Sequence, residues 1–279
     1  MDLESPSRLP QFFGLVMIAG YLLVAITALT RSSYDIGGVF LVGPVLAVLS
    51  VPLIAKARRT EPDARIRPLF ALGLLATVFA GFAHFLVDFK FYGGAADARR
   101  YSQQGAALAV QFWHGDFVPH LDIGLTGTGF IIVLTGIIYA LIGPTVLGGY
   151  LVYSWLAFWG LYLSYRAFCT SMVGADYRRY ALLVFFLPSL IFWSSGIGKG
   201  AWMMLCIGLA LLGIARLLSG TSGAALPLLA GLAGSALARP HITALLVLAL
   251  IAGVLVRRVE GANLLTPIIR VGTLAILGV

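Results

Sequence analysis

Apolar residues run almost without interruption through this chain, broken only by short polar or basic segments. A helix that crosses a bilayer needs about 20 predominantly apolar residues. The pattern therefore predicts spanning helices at 12–30, 37–55, 68–88, 148–168, 180–196, 201–218, 224–239 and 241–256, with a further apolar run at 264–279. These runs are continuous rather than alternating, which predicts helices over the strands of a β-barrel. The expected fold is an all-α integral membrane bundle of about 8–9 spans, a single transmembrane domain over 1–279 with no soluble domain.

One more run, 124–142 (GLTGTGFIIVLTGIIYALI), is apolar enough to count as a span. Charge decides its place. The segment 56–67 carries Lys56, Arg58, Arg59, Arg65 and Arg67, and short basic loops stay on the cytoplasmic side. That sets the N-terminus inside and 88–123 outside. If 124–142 crosses, then Arg166, Arg178, Arg179, Arg216, Arg257 and Arg258 all fall outside; if it does not, all six fall inside. The second choice obeys the rule at every later loop. Residues 88–147 are thus expected to form an outer-face loop with surface helices, and 124–142, rich in Gly and Thr, to lie on the surface or re-enter. An ordinary span with a weak charge bias is the alternative. The start, MDLESPSRLPQ, is acidic and polar and lacks the basic start of a cleaved signal peptide, so the first apolar run is expected to stay as an anchor.

Composition agrees with a bilayer as solvent. The chain is 60% hydrophobic and 11% charged, with a mean hydropathy of +0.97, where soluble domains carry about 25% charged residues. The formal charge of +8 sits in loops between apolar runs, so nucleic acid is not the expected partner. Cys169 and Cys206 fit no metal or redox spacing.

With this parity three segments collect on the outer side. The largest, 88–123, holds Asp88, Lys90, Asp97, Arg99, Arg100, His114, Asp116, His120 and Asp122. The others are SSGIGKGA at 194–201, with Lys199, and the tight turn Arg239-Pro240-His241. Both set a cation between apolar helices, where charge is costly and marks a functional candidate. Residues 95–113 read as an amphipathic surface helix, with Asp97 near its N-terminus and Arg100, Gln104 and Gln111 near one face. The preceding Gly93-Gly94 pair lets the chain turn sharply and bring Asp97 back over the bundle.

A carboxylate can take a proton from an acceptor hydroxyl or amine, and cations can hold a departing phosphate. Phosphate beside apolar helices points to a lipid phosphate, and a polyprenyl-phosphate-linked sugar meets these demands. Asp88 is the second carboxylate candidate; pairing with Lys90 or a plain helix end is its structural alternative. The His114, Asp116, His120 and Asp122 group matches no strong metal motif, and loop solvation is preferred. His84 is expected to bond a neighbouring helix, Ser194 and Ser195 lack triad partners, and Trp113, Trp193 and Trp202 fit an aromatic belt.

Three segments resemble the GT-C superfamily of membrane glycosyltransferases, in the style of protein mannosyltransferases and aminoarabinose transferases. GGAADARRY is similar to the Gly-Asp-Ala-x-x-Tyr type of motif that opens the first large outer loop, with Asp97 and Tyr101 at matching places. The stretch from TGFIIVLTG to LSYRAF resembles that family's juxtamembrane helix and next span. LPSLIFWSSGIGK resembles the Pro-Ser-x-x-x-Trp-Ser-Ser-Gly-x-x-Lys stretch of bacterial members. The likeness covers about 85–220; two spans precede the loop where the family usually has one, and a single Asp stands where it has an Asp-Glu pair. Family members are commonly longer, so a piece of a longer protein is an expectation here. The resemblance implies a bacterial inner-membrane enzyme, inverting and metal-independent, with no cofactor and a polyprenyl-phosphate sugar as donor. It implies Asp97 as the catalytic base and Lys199 and Arg239 at the donor phosphate. From the residues themselves, Asp88 is a further catalytic candidate, His241 and Arg100 further candidates at the phosphate, and Tyr101 and Trp193 candidates against substrate. The acceptor stays open. A polysaccharide polymerase, a transporter and a non-catalytic accessory subunit are the rivals.

Overall fold

The structure, a computed structural model, describes residues 9–31, 33–94 and 97–256. The apolar run 264–279, Arg257, Arg258 and the first eight residues lie outside the described residues. Among the described residues all regular structure is helical, in chain order α1 (Leu9–Arg31), α2 (Tyr34–Gly37), α3 (Val39–Thr60), α4 (Arg67–Leu86), a π-helical turn (Val87–Phe91), α5 (Asp97–Trp113), α6 (Thr128–Ile142), α7 (Val146–Ser171), α8 (Tyr177–Phe186), α9 (Pro188–Trp193), α10 (Lys199–Ser219), α11 (Ala225–Ala238) and α12 (Pro240–Val256).

Among the described residues five segments are long and apolar enough to cross a membrane: Gly14–Arg31, Tyr34–Thr60, Arg67–Phe91, Val146–Ser171 and Lys199–Ser219. The chain is a helical membrane protein. Thr128–Ile142, Ala225–Ala238 and Pro240–Val254 are shorter apolar helices. The expected single span at 180–196 is corrected to two pieces, α8 and α9. Pro188 has no backbone N–H to continue a helix, and it holds Leu187 in extended geometry (ψ 113°).

Local signals set the ends. Thr145 caps α7 by accepting from the Gly148 N–H (3.2 Å), and Asp176 caps α8 by accepting from the Arg179 N–H (2.9 Å). Pro68 sits in the first turn of α4, where its missing N–H costs nothing.

The centre is α7. In its apolar window 61% of residues are buried, against 6% in α1, so α1 lies at the periphery. Small residues let the central helices touch. A Cβ on Gly160 would strike the backbone of Met204 and Leu205, and one on Gly231 would strike the backbone of Cys206 and Ala210. Thus α7, α10 and α11 pack backbone to backbone, the usual device where apolar burial alone does not drive association.

Two aromatic cores result. One, around Tyr101, Ile131, Tyr150 and Tyr153, fills the end where α4 finishes and α10 begins. The other, around Phe70, Phe158, Tyr165 and Phe185, fills the opposite end. Arg166 of α7 donates to Thr60 Oγ1 at the end of α3 (2.9 Å), and Ser219 Oγ, closing α10, donates to the Thr170 carbonyl (3.2 Å). This basic end gathers Lys56, Arg58, Arg59, Arg65, Arg67, Arg166 and Arg216.

Helix α6 starts and finishes at the first of these ends. Gly127 N–H, just before it, donates to the Leu237 carbonyl (2.7 Å), and Tyr34 OH donates to the Ile142 carbonyl (2.7 Å). The chain then enters α7 from that same end, where Thr145 Oγ1 donates to the Asp35 carbonyl (3.2 Å). Helix α5 lies against α6, with Ser102 and Tyr139 hydroxyls 2.8 Å apart and Gly105 against Thr135.

Candidate functional site

Four chain segments converge on a cavity of about 290 Å³, lined by His84, Asp88, Asp97, Tyr101, Trp193, Lys199 and Arg239 and by the backbone at Gly196, Gly198 and Gly200. Six of the eight residues predicted as site residues are in that lining. Arg100 and His241 are not. Arg100 turns to a neighbouring cavity of about 240 Å³ with Gln104, Gln111, His120 and Asp122, the polar face of α5 foreseen from its spacing. His241 sits exposed past the α11–α12 break.

The two carboxylates differ. Asp88 lies in the π-helical turn, only 6% exposed. It accepts a hydrogen bond from Tyr150 OH, and His84 Nε2, one helical turn earlier, stands 3.7 Å from its Oδ2. Pairing with Lys90 is therefore replaced by pairing with His84 and Tyr150. A buried carboxylate needs such partners, because an unpaired one is strongly penalised. Asp97, by contrast, is exposed and heads α5. The chain reaches it through Gly93 (φ 58°) and Gly94 (φ 78°), successive left-handed residues that only glycine adopts cheaply. The Gly94 N–H donates to the Asp88 carbonyl (2.8 Å), which closes that turn.

The cations come from the far side. Lys199 is the first residue of α10, and Gly198 before it offers no side-chain cap, so the positive helix end opens beside the ammonium. Lys199 Nζ donates to Thr128 Oγ1 (3.0 Å) at the start of α6. Arg239 closes α11. Among the described residues the carboxylate contacts within 4 Å of a basic side chain are to imidazoles, His84–Asp88 and His120–Asp116, so neither Lys199 nor Arg239 has a carboxylate partner there.

Tyr101 ties the two sides together. Its ring lies 3.5 Å from where a Gly198 Cβ would stand. Burial first, then the Asp97 carboxylate, push its phenol above the ordinary value, against the Thr128 hydroxyl, Arg100 and Arg239. The phenol therefore stays protonated and neutral.

The loop 194–198 is held rigidly. Ser154 Oγ donates to the Ser195 carbonyl (2.9 Å), and the Ser194 and Ser195 hydroxyls donate back to the Leu190 and Phe192 carbonyls (2.7 and 2.8 Å). Both serines thus serve the backbone. Trp193 stands 69% exposed at the rim, edge-on to His84, while Phe192 stacks on His84 at 4.5 Å. The Trp202 indole N–H donates to the Gly234 carbonyl (2.8 Å) and joins α10 to α11.

Sequence reasoning missed Tyr150 and Thr128 and gave His84 no place in the site. The His84–Asp88 spacing of four carried a readable signal, since such residues share a helix face. Nothing local marked Tyr150 or Thr128, which long-range packing brings in. No protein-family model matches this chain, and no curated protein or solved structure matches it.

Proposed function

We propose that this cavity transfers a sugar from a polyprenyl-phosphate donor to an acceptor, as a GT-C-like membrane glycosyltransferase with the site on the outer face. The observation that carries the reading is the meeting, in one cavity, of an exposed carboxylate with two cations that lack carboxylate partners among the described residues. The start and finish of α6 at the site end agree with a non-crossing juxtamembrane helix, and the basic residues of the other end agree with a cytoplasmic face.

In this reading Asp97 takes the proton from the acceptor hydroxyl or amine as its heteroatom bonds to the anomeric carbon. The bond from that carbon to the phosphate oxygen breaks, and its electron pair leaves with polyprenyl phosphate. Lys199, Arg239 and the start of α10 hold the charge that develops there. Tyr101 steadies Thr128 and, through it, Lys199. Trp193 offers an aromatic face at the rim to sugar or prenyl chain. Asp88, already engaged by Tyr150 and His84, shapes the floor.

The first test is binding of polyprenyl phosphate to the purified chain by native mass spectrometry, beside Lys199→Ala and Arg239→Ala. The parent should bind, and each variant should weaken binding about tenfold, the lower range for a charge-assisted hydrogen bond. A folded parent that does not bind would sink this reading and favour a transporter or accessory subunit.

A further inference from the structure

At the basic end a second cavity, about 610 Å³, opens between α3, α7 and α10. Each helix brings it one cation: Lys56, Arg166 and Arg216. Arg166 is pre-oriented, its Nη1 donating to Thr60 Oγ1 (2.9 Å) and reaching Tyr162 OH (3.5 Å). Arg216 Nη1 donates to the Gly223 carbonyl (3.0 Å). None of the three is in an ion pair among the described residues, and no carboxylate lines the cavity. Glu61 is close in the chain but engaged elsewhere, by Tyr165 OH (2.7 Å) and the Asp63 N–H (3.2 Å).

The rest of the lining is apolar or aromatic, with Leu156, Leu205 and Leu212 along one wall and Trp155 and Trp159 beside them. Three converging cations ask for an anion. The leucine wall asks for hydrocarbon, and one ligand answers both only if it is amphipathic.

We propose that this cavity is a binding site for an anionic phospholipid, its phosphate held by Lys56, Arg166 and Arg216 and an acyl chain lying on the α7 and α10 wall. The site is independent of the transferase reading, because it uses none of the residues of the first cavity.

The test uses the delipidated full chain, titrated with phosphatidylglycerol or with phosphatidylcholine of the same acyl chains and read by native mass spectrometry. One phosphatidylglycerol should be retained per chain. Lys56→Gln, Arg166→Gln and Arg216→Gln should each weaken it about fivefold, the worth of one cation near a lipid phosphate. Arg58→Gln with Arg59→Gln, exposed at the same end but outside the cavity, should change it less than about twofold. Should Arg166→Gln or Arg216→Gln fail to fold, exposed Lys56 still reads the charge alone. Equal retention of phosphatidylcholine, or equal loss from the Arg58 and Arg59 pair, would overturn the proposal. So would displacement of the lipid by millimolar inorganic phosphate, which would reassign the cavity to free anions.

Discussion

The two ends of the bundle carry the same kind of charge in different company. At the site end, Lys199 and Arg239 share a cavity with Asp97, Asp88, glycine backbone and a helix N-terminus. At the basic end, Lys56, Arg166 and Arg216 face leucines and tryptophans with no carboxylate in the lining. Cations alone hold an anion. Cations beside an uncommitted carboxylate can also move a proton while they hold it, and chemistry needs both. The contrast extends to the carboxylates: Asp88 is bound on two sides, while Asp97 makes no ion pair among the described residues.

The largest expected effect tests that last difference. Asp97→Asn should cut release of polyprenyl phosphate from its sugar-linked form about 10²–10⁴-fold, the range of a lost general base, with binding of polyprenyl phosphate unchanged. Asp88→Asn should act mainly on the fold, because Tyr150 and His84 lose a charged partner; about 1–3 kcal/mol of stability should go, seen as a lower thermal midpoint. Mass spectrometry of the released lipid and a melting curve separate the two. If Asp88→Asn abolishes release in a well-folded chain while Asp97→Asn does not, the roles are reversed.

That contrast also shows where the sequence was legible. The charge pattern placed Lys199 and Arg239 beside the 88–123 segment, because short loops between apolar runs leave ionisable residues few places to go. The Gly93-Gly94 turn and a surface helix over 95–113 with Asp97 near its N-terminus are readable for the same reason, each resting on neighbours in the chain. What could not be read rests on residues far apart. Tyr150 reaches Asp88 across 62 positions, and Lys199 reaches Thr128 across 71. The π-helical turn that aims Asp88 inward has no composition of its own. The break at Leu187–Pro188 has a local signal, a proline inside an apolar run, set against an apolar length that by itself predicts one span. Nothing in the sequence groups the cations of the second cavity, which sit 110 and 50 positions apart (56 to 166 to 216), each looking like an ordinary loop-end charge.

A smaller effect asks whether the two ends are one structure. Gly160 lies where α7 meets α10, and any Cβ there strikes the Met204 and Leu205 backbone. Gly160→Val should force the helices apart at a cost of about 1–3 kcal/mol, the usual range for overpacking. Because α10 carries Lys199 at one end and Arg216 at the other, binding of polyprenyl phosphate and of phosphatidylglycerol should fall together. Lys199→Ala should lower only the first. If Gly160→Val lowers the melting midpoint yet leaves one ligand at full affinity, the ends are separate units joined by a tolerant middle.

The smallest effect isolates one hydroxyl at the site end. Tyr101→Phe keeps the ring against Gly198 and removes the oxygen that meets Thr128. One hydrogen bond contributes about 1 kcal/mol, so polyprenyl phosphate should bind about fivefold more weakly, with little change in melting. The pH dependence sharpens this. Burial and the Asp97 carboxylate hold the phenol above its ordinary value, so its proton is in place throughout the neutral range. The ratio of parent to variant affinity should therefore stay flat from about pH 6 to 9. A ratio that shrinks toward pH 9 would mean the phenol loses its proton there, with Arg100 and Arg239 outweighing burial, and Tyr101 would then not be a fixed neutral partner for Thr128.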